Sequence, residues 1–477
     1  MSGWALPGSA ESARREAETR LRAFEWPAPL RALLVTLQHA GARAHLVGGS
    51  VRDVLLGRDI DRRWDIATSL TPEQVRARVA RAEGIGERHG TLLVIEDDLL
   101  AEVTTFRREG AYSDARRPDE VWWTGDPIED LARRDLTINA LAFDPLSGVL
   151  LDPFEGTRDL TRKRLRAVGE PSARLAEDAL RALRIARFAA VLEMEPDDAT
   201  RAALAGVVER AGTLAVERVR DELVKLIAAR EPSRGLELLR ESGLLALWLP
   251  EIAACRGVPQ NRFHAYDVYF HLVYSCDAAT PDKPIVRWAA LLHDIGKPAT
   301  RAEKPDGEGT FHGHERVGAE LADALLARLR FPHAERERIV QLVREHMFDY
   351  RVEWSDAAVR RFVRRVGVEQ VADLFDLRMA DALGNGLKRP DVTKLESLAA
   401  RVDRVLEQPH VLGLGDLAVG GADVMEVLGL APGPEVGTML ERLLDEVLDE
   451  PARNNREGVA GPDRGALRAR PAALTAL

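Results

Sequence analysis

Two kinds of apolar spacing divide this chain. Between residues 31 and 166, short alternating runs (His45–Val47, Thr91–Ile95, Ala101–Phe106) sit among helical pieces, a mixture that predicts a unit of strands and helices. From 167 to 254 the apolar residues recur at three- and four-residue spacing, as in Leu180, Leu183 and Phe188, then Leu223, Leu226, Leu236 and Leu239, which predicts helix. A third helical unit spans 255–385. A fourth, 386–460, has a Gly/Pro-rich turn at Gly429–Gly437. Residues 1–30 read as a weakly ordered or helical lead-in that ends at Pro27 and Pro29. Residues 461–477 lack an apolar period and read as a loose tail. No short internal repeat is visible.

Composition narrows the class. The 477 residues are 45% hydrophobic, 30% charged and 5% aromatic, which suits a soluble globular protein of about 3–4 domains. No stretch approaches the ~18 uninterrupted apolar residues of a membrane span. The N-terminus turns acidic and polar too early for a signal peptide. Cys255 and Cys276 lack a metal-type spacing and read as buried or free thiols in a reducing cytoplasm. A net charge of −10 speaks against a nucleic-acid partner, but nine basic residues face four acidic ones between Arg158 and Arg187. RNA can bind along that one stripe.

Candidate chemistry concentrates in two places. In LVGGSVRDVLLGRDIDRRWDIAT, residues 46–68, an apolar run ends in Gly48-Gly49, where backbone N–H groups can approach a phosphate without Cβ interference. A strand-like piece, Trp64–Ala67, then delivers Asp65, a candidate metal carboxylate; Glu102 lies on a second alternating strand. Further on, IVRWAALLHDIGKP closes an apolar helix with His293-Asp294. His271 upstream and Asp381 downstream complete an N/O ligand set that suits Mn²⁺, Mg²⁺, Ni²⁺ or Fe. His314 and His346 can complete a second metal position, and Lys297 can steady a phosphate. His264, His312 and His333 read as bystanders. Between the two regions, Glu177, Arg181 and Arg184 share one face if the segment is a continuous helix, and their plain reading is an ion-pair ladder.

The order GG-x-x-RD-x-x-LG, then RRD-x-T-x-NA (133–140), D-P-F-x-G (152–156) and ED-x-x-R (177–181) resembles the class II tRNA nucleotidyltransferase and bacterial poly(A) polymerase family. The resemblance implies that Gly48, Gly49 and Arg52 hold the triphosphate. It gives Arg134 and Asp135 the ribose, and Asp178 and Arg181, with Arg184 beside them, the base of the incoming nucleotide. Asp65 and Glu102 would hold Mg²⁺. Where the family has D-x-D, this chain reads Arg63-Trp64-Asp65. On a strand, residues 61, 63 and 65 share a face, so Asp61 is the candidate substitute, ~6.6 Å from residue 63 unless a bulge shortens the gap. Residues 106–119 resemble the flexible loop that helps such sites change from CTP to ATP. The H…HD-x-G-K…H…H…D order resembles the HD phosphohydrolase superfamily, which in this context acts on 2′,3′-cyclic phosphate, 2′-phosphate or related substrates through metal-bound hydroxide. Residues 419–456 resemble the C-terminal helical part of HD-bearing members, which helps grip tRNA.

The expected fold is an α+β nucleotidyltransferase head with a small mixed sheet, followed by an all-α neck, an HD domain and a C-terminal helical region. The expected activity is template-independent addition of CMP and AMP to the tRNA 3′ end, with tRNA, CTP and ATP as partners. Three alternatives stand beside it: a head impaired by Arg63 in a chain that works mainly through its HD unit, a CC-adding or A-adding relative, and a poly(A)-tailing one.

Overall fold

The computed structural model describes residues 9–60, 63–86, 90–96, 98–109, 121–305, 308–387, 389–407 and 412–455. Asp61, most of the 106–119 loop and the 461–477 tail lie outside these. The chain forms two compact units. Residues up to Ala254, with Arg328–Phe331, form one; Cys255–Ala327 and the residues from Pro332 onward form the other.

The first unit is built on a seven-stranded mixed sheet. Its order is Ala82–Gly86, Thr91–Glu96, Leu99–Thr105, Arg63–Thr68, Ala44–Val47, Ala142–Asp144 and Val149–Leu151. One neighbouring pair, Arg63–Thr68 with Leu99–Thr105, is parallel, and the others are antiparallel. The last two strands are three residues each, too short to show an alternation in sequence. The apolar face buries Val47, Ala67, Phe106, Leu131, Ala140, Ala142 and Val168 together.

The lead-in is helical where it is described. Ala10–Ala23 buries Ala13, Ala17 and Leu21. Arg14 donates to the Leu150 carbonyl at 3.2 Å and Arg22 to that of Gly148 at 2.8 Å, which ties this helix to the edge strand. Gly156 marks a place where only hydrogen fits, since a Cβ there would lie 2.2 Å from the Thr137 carbonyl oxygen. Asp152 accepts the backbone N–H groups of Gly156 and Thr157, which fixes the D-P-F-x-G turn.

The segment that follows corrects one expectation. Residues 177, 181 and 184 are not on one continuous helix, because Pro171–Glu177 ends and Leu180–Leu192 begins around Asp178, whose backbone is extended (φ −141°, ψ 105°). The cause is local. The Asp178 carboxylate accepts the Leu180 N–H at 3.0 Å and competes with helix continuation. Leu180–Leu192 then packs on Val216–Ile227 and Pro232–Ser242.

The second unit is helical. Val268–Ala278, Pro284–Leu292, His314–Arg328, His333–Glu345 and Val371–Gly384 carry or abut the histidines. Arg287 is fully buried and donates to the Cys276 carbonyl. Cys255 and Cys276 are both buried and not joined in a disulfide, and burial pushes the Cys276 thiol up to about 12. Gly421–Leu428 and Pro434–Asp449 close around Leu417, Val424, Leu443, Leu444 and Leu448. Buried Arg360 ties them to the Asp356–Val366 helix through the Leu448 carbonyl at 2.7 Å. Among the described residues, no helix is long and apolar enough to cross a membrane.

Candidate active sites

In the first unit the strand Ala44–Val47 leads into Gly48, which takes φ +61°, ψ −123°, a conformation open to glycine. A Cβ at Gly48 would stand 2.8 Å from Arg134 Nη1. The helix Gly49–Leu56 starts at once, so its unpaired N–H groups and positive end face the same space. Asp65 sits directly opposite, with one carboxylate oxygen 3.5 Å from the position a Gly49 Cβ would take. Its strand is held to the helix by the Asp65 N–H donating to Ser50 Oγ at 2.8 Å.

Parallel register places Glu102 beside Asp65 on the neighbouring strand, and paired residues share a sheet face. Burial, then the neighbouring Glu102 charge, pushes the Asp65 carboxyl above its ordinary range, while Arg134, Arg52 and Arg63 pull the other way. A buried carboxylate with a second carboxylate beside it is what a cation would relieve, so this pair fits a divalent ion. The fit is limited by Arg63, which is ion-paired to Glu102. Among the described residues, no three metal-type ligand atoms gather within 4.8 Å of one another in this unit.

A polar network holds the basic groups in place. Buried Arg52 donates to Asn139 Oδ1 at 2.5 Å and pairs with Asp53. Asn139 in turn donates to Asp135 Oδ1 at 2.9 Å. Arg134 pairs with buried Asp130 at 3.2 Å. Asp135 also accepts the Leu136 N–H at 2.8 Å and Arg184 at 2.7 Å. Burial opposes the Asp135 charge, but Arg184 and these hydrogen bonds outweigh it and hold the carboxyl well below the usual carboxylate range. A depressed native pKa stabilises the fold above the unfolded value near ~3.9, and that contribution fades as pH falls below it. Asp135→Asn is therefore expected to lower stability by about 3 kcal/mol at pH 7. Urea unfolding of both proteins from pH 7 downward should show a constant gap to about pH 5 that narrows below about pH 4.

Asp178 and Arg181 are close in sequence but engaged elsewhere. Asp178 pairs with Arg218 at 2.8 Å. Arg181 pairs with Glu177, the four-residue ladder of the plain reading, and also donates to the carbonyls of Arg174 (2.7 Å) and Arg133 (3.0 Å). Through Arg133 it braces the segment that carries Arg134 and Asp135. The sequence reading gave no part to Ser50 or Asp130, and gave Asn139 only that of a short polar group near the strand within RRD-x-T-x-NA.

In the second unit six side chains converge. His271, His293 and Asp381 form one group of ligand atoms within 4.8 Å, and Asp294, His314 and His346 form another. Asp294 faces both. Its Oδ2 lies 3.4 and 3.3 Å from the Nε2 atoms of His271 and His293, and its Oδ1 lies 3.1 and 3.7 Å from those of His314 and His346. Helix ends set this geometry: His293 and His346 follow the last turns of Pro284–Leu292 and His333–Glu345, and His314 starts its own helix. The Nδ1 atoms of His293, His314 and His346 meet the carbonyls of Ala290, Phe311 and Val343 at 2.8, 2.7 and 2.6 Å. That contact favours Nδ1–H and leaves Nε2 as an inward lone pair, the tautomer a metal needs.

Charge in this centre is concentrated. Burial opposes it, but Lys297, 2.5 Å away, and the histidines hold Asp294 well below the usual range. Burial also disfavours the His271 imidazolium, yet bonds to Asp294 and Asp381 raise its pKa to about 9. His264 is no remote bystander, since its ring meets that of His271 edge-on with centroids 5.4 Å apart.

Comparison with known proteins agrees with this layout. The chain matches the poly A polymerase head domain over 44–166, a probable RNA- and SrmB-binding site of polymerase A over 193–256, and the HD domain over 263–405. It is 40% identical to an A-adding tRNA nucleotidyltransferase of Deinococcus radiodurans, covering 84% of this chain and 91% of that one. It is 32% identical to a CCA-adding enzyme of Lactococcus lactis, covering 88% and 92%. Among solved structures, the Bacillus stearothermophilus CCA-adding enzyme in complex with CTP superposes with a TM-score of 0.69 at 27% identity over 91% of this chain and 96% of that one. With its poly(A) polymerase head, RNA-binding segment and HD domain in that order, the chain belongs to the tRNA nucleotidyltransferase and poly(A) polymerase family, as an HD-bearing member.

Proposed function

We propose that the first unit adds nucleotides to the 3′ end of tRNA without a nucleic-acid template, drawing on CTP and ATP. The observation that carries this is the Asp65–Glu102 pair facing the Gly48-Gly49 turn, a carboxylate pair set against a phosphate cradle. In this reading the N–H groups at the start of Gly49–Leu56 and the Arg52 guanidinium hold the triphosphate. Arg134 and Asp135 orient the ribose, and Arg184 keeps Asp135 ionised as an acceptor. Asp178 and Arg181 leave Arg218 and Glu177 to read the base edge. Asp65 and Glu102 would hold a divalent ion such as Mg²⁺, which would supply positive charge against the α-phosphate and lower the pKa of the attacking hydroxyl. The tRNA 3′ oxygen bonds to the α-phosphorus as its O–H bond breaks and the proton passes to water, the α–β bridging bond breaks, and pyrophosphate leaves. Of the nine basic residues from Arg158 to Arg187, six are held in ion pairs, and the exposed Arg162, Lys163 and Arg164 support the RNA.

The second unit, in the same proposal, hydrolyses phosphate esters on RNA 3′ ends or nucleotides. His271, His293 and Asp381 would hold one divalent ion such as Mn²⁺ or Ni²⁺, and Asp294, His314 and His346 a second. Arg63 favours a second reading of the whole chain, in which the head binds RNA without transfer and the HD unit is the working site. Incubating the full chain and Mg²⁺ with tRNA that ends before CCA, and with CTP, ATP or both, decides between them. Stepwise extension supports transfer, and product length gives the nucleotide range; absence of extension under every mixture leaves the HD reading.

A further inference from the structure

A polar cleft of about 400 Å³ opens in the second unit, lined by Pro259, Gln260, Asn261, Arg262, Arg301, Glu308 and Gly309; its one carboxylate, Glu308, is paired with Lys304 at 3.1 Å. It lies one side chain from the six-ligand centre by two routes. Gln260 Oε1 accepts from Lys297 Nζ at 2.6 Å, and the same nitrogen sits 2.5 Å from Asp294. Asn261 Oδ1 meets His264 Nδ1 at 2.8 Å, and His264 packs on His271. Two exposed arginines flank the cleft. Among the described residues no carboxylate pairs with Arg262, and Arg301 meets one, Glu303, at 4.0 Å. Next to Arg262 stands Phe263, 52% exposed, with the guanidinium 5.0 Å from the ring centroid.

A guanidinium with no carboxylate partner among the described residues, Arg262, beside one whose carboxylate stands 4.0 Å away, Arg301, suits a phosphodiester, and the exposed ring beside Arg262 suits an unstacked base. A mononucleotide whose terminal phosphate sits at the centre has no second phosphate for this cleft. We propose that the cleft is a distal phosphate subsite of the His-Asp centre. The substrate class is then a single-stranded RNA 3′ end of at least two nucleotides that carries a terminal cyclic phosphate. This rests on the hydrolytic reading of the centre. In the reaction, the oxygen of water bonds to phosphorus, one ring P–O bond breaks, and the ribose oxygen leaves as a hydroxyl bearing water's proton.

The test uses the full chain with Mn²⁺ and two probes, 2′,3′-cyclic CMP and a trinucleotide ending in a 2′,3′-cyclic phosphate. The wild type should favour the trinucleotide by about tenfold or more in kcat/KM, the worth of one charge-assisted contact. Arg262→Ala/Arg301→Ala should remove that preference through KM and leave cyclic CMP turnover within about twofold. Equal kcat/KM for the two probes in the wild type, or equal losses on both in the variant, would overturn the subsite. If neither probe is hydrolysed, the hydrolytic reading fails, and anisotropy with a fluorescent trinucleotide 3′-phosphate judges the cleft separately. About tenfold weaker binding in the variant upholds a phosphate site, and unchanged binding overturns it.

Discussion

Asp65→Asn is expected to reduce nucleotide addition by about 10³-fold while leaving the fold intact. The asparagine keeps the shape and the N–H bond to Ser50 but removes one of the two carboxylates that face the Gly48-Gly49 turn. Burial and Glu102 already disfavour the Asp65 charge, so its loss relieves the native state. The urea midpoint should therefore stay or rise as activity falls, which separates lost chemistry from lost folding. Arg63→Asp is the complementary change. It removes the cation that holds Glu102 and puts a third carboxylate on the same strand face. Addition measured on tRNA lacking CCA should rise about tenfold or more if the head works short of one ligand. An unchanged rate, in a wild type that already extends tRNA efficiently, would mean that another group fills the place. Asp61→Asn would then identify or dismiss the candidate substitute that stands two residues before Arg63 in the sequence.

What the sequence made legible follows from the range of the interactions involved. The Gly48-Gly49 turn, the helix after it and the Arg63–Thr68 strand are local, and spacing is enough to place them. The Glu102 alternation is local too, but its pairing with Asp65 and Arg63 depends on a parallel register between strands some forty residues apart, which spacing cannot give. The same limit hid what Asn139 does, since its amide joins Asp135, four residues before it, to Arg52, 87 residues away. The break at Asp178 was hidden for the opposite reason. Its competitor is a single hydrogen bond two residues away, too small a signal beside a strong helical period. In the HD unit the sequence set His271, His293, Asp294 and Asp381 at one candidate metal position and His314 and His346 at a second, while the fold places Asp294 between the two groups and brings His264 against His271.

Asp294→Asn is the second large effect, and it bears on that division. The two oxygens of Asp294 point at different histidine pairs, so this one carboxylate serves both groups at once. An amide presents one oxygen and one NH₂, and the NH₂ cannot ligate a cation. The variant is expected to lose at least one bound Mn²⁺ per chain, counted by elemental analysis of protein purified from Mn²⁺ and desalted, and about 10³-fold in hydrolysis of bis-p-nitrophenyl phosphate. His346→Ala removes a ligand from one group only, and the set His271, His293 and Asp381 remains whole. It should therefore keep an ion that Asp294→Asn sheds. Nucleotide addition to tRNA should be unchanged in both, because the transfer chemistry is assigned to Asp65 and Glu102. Equal metal content in Asp294→Asn and wild type would reject the shared carboxylate, and loss of every ion in His346→Ala would show a single cluster instead of two coupled positions.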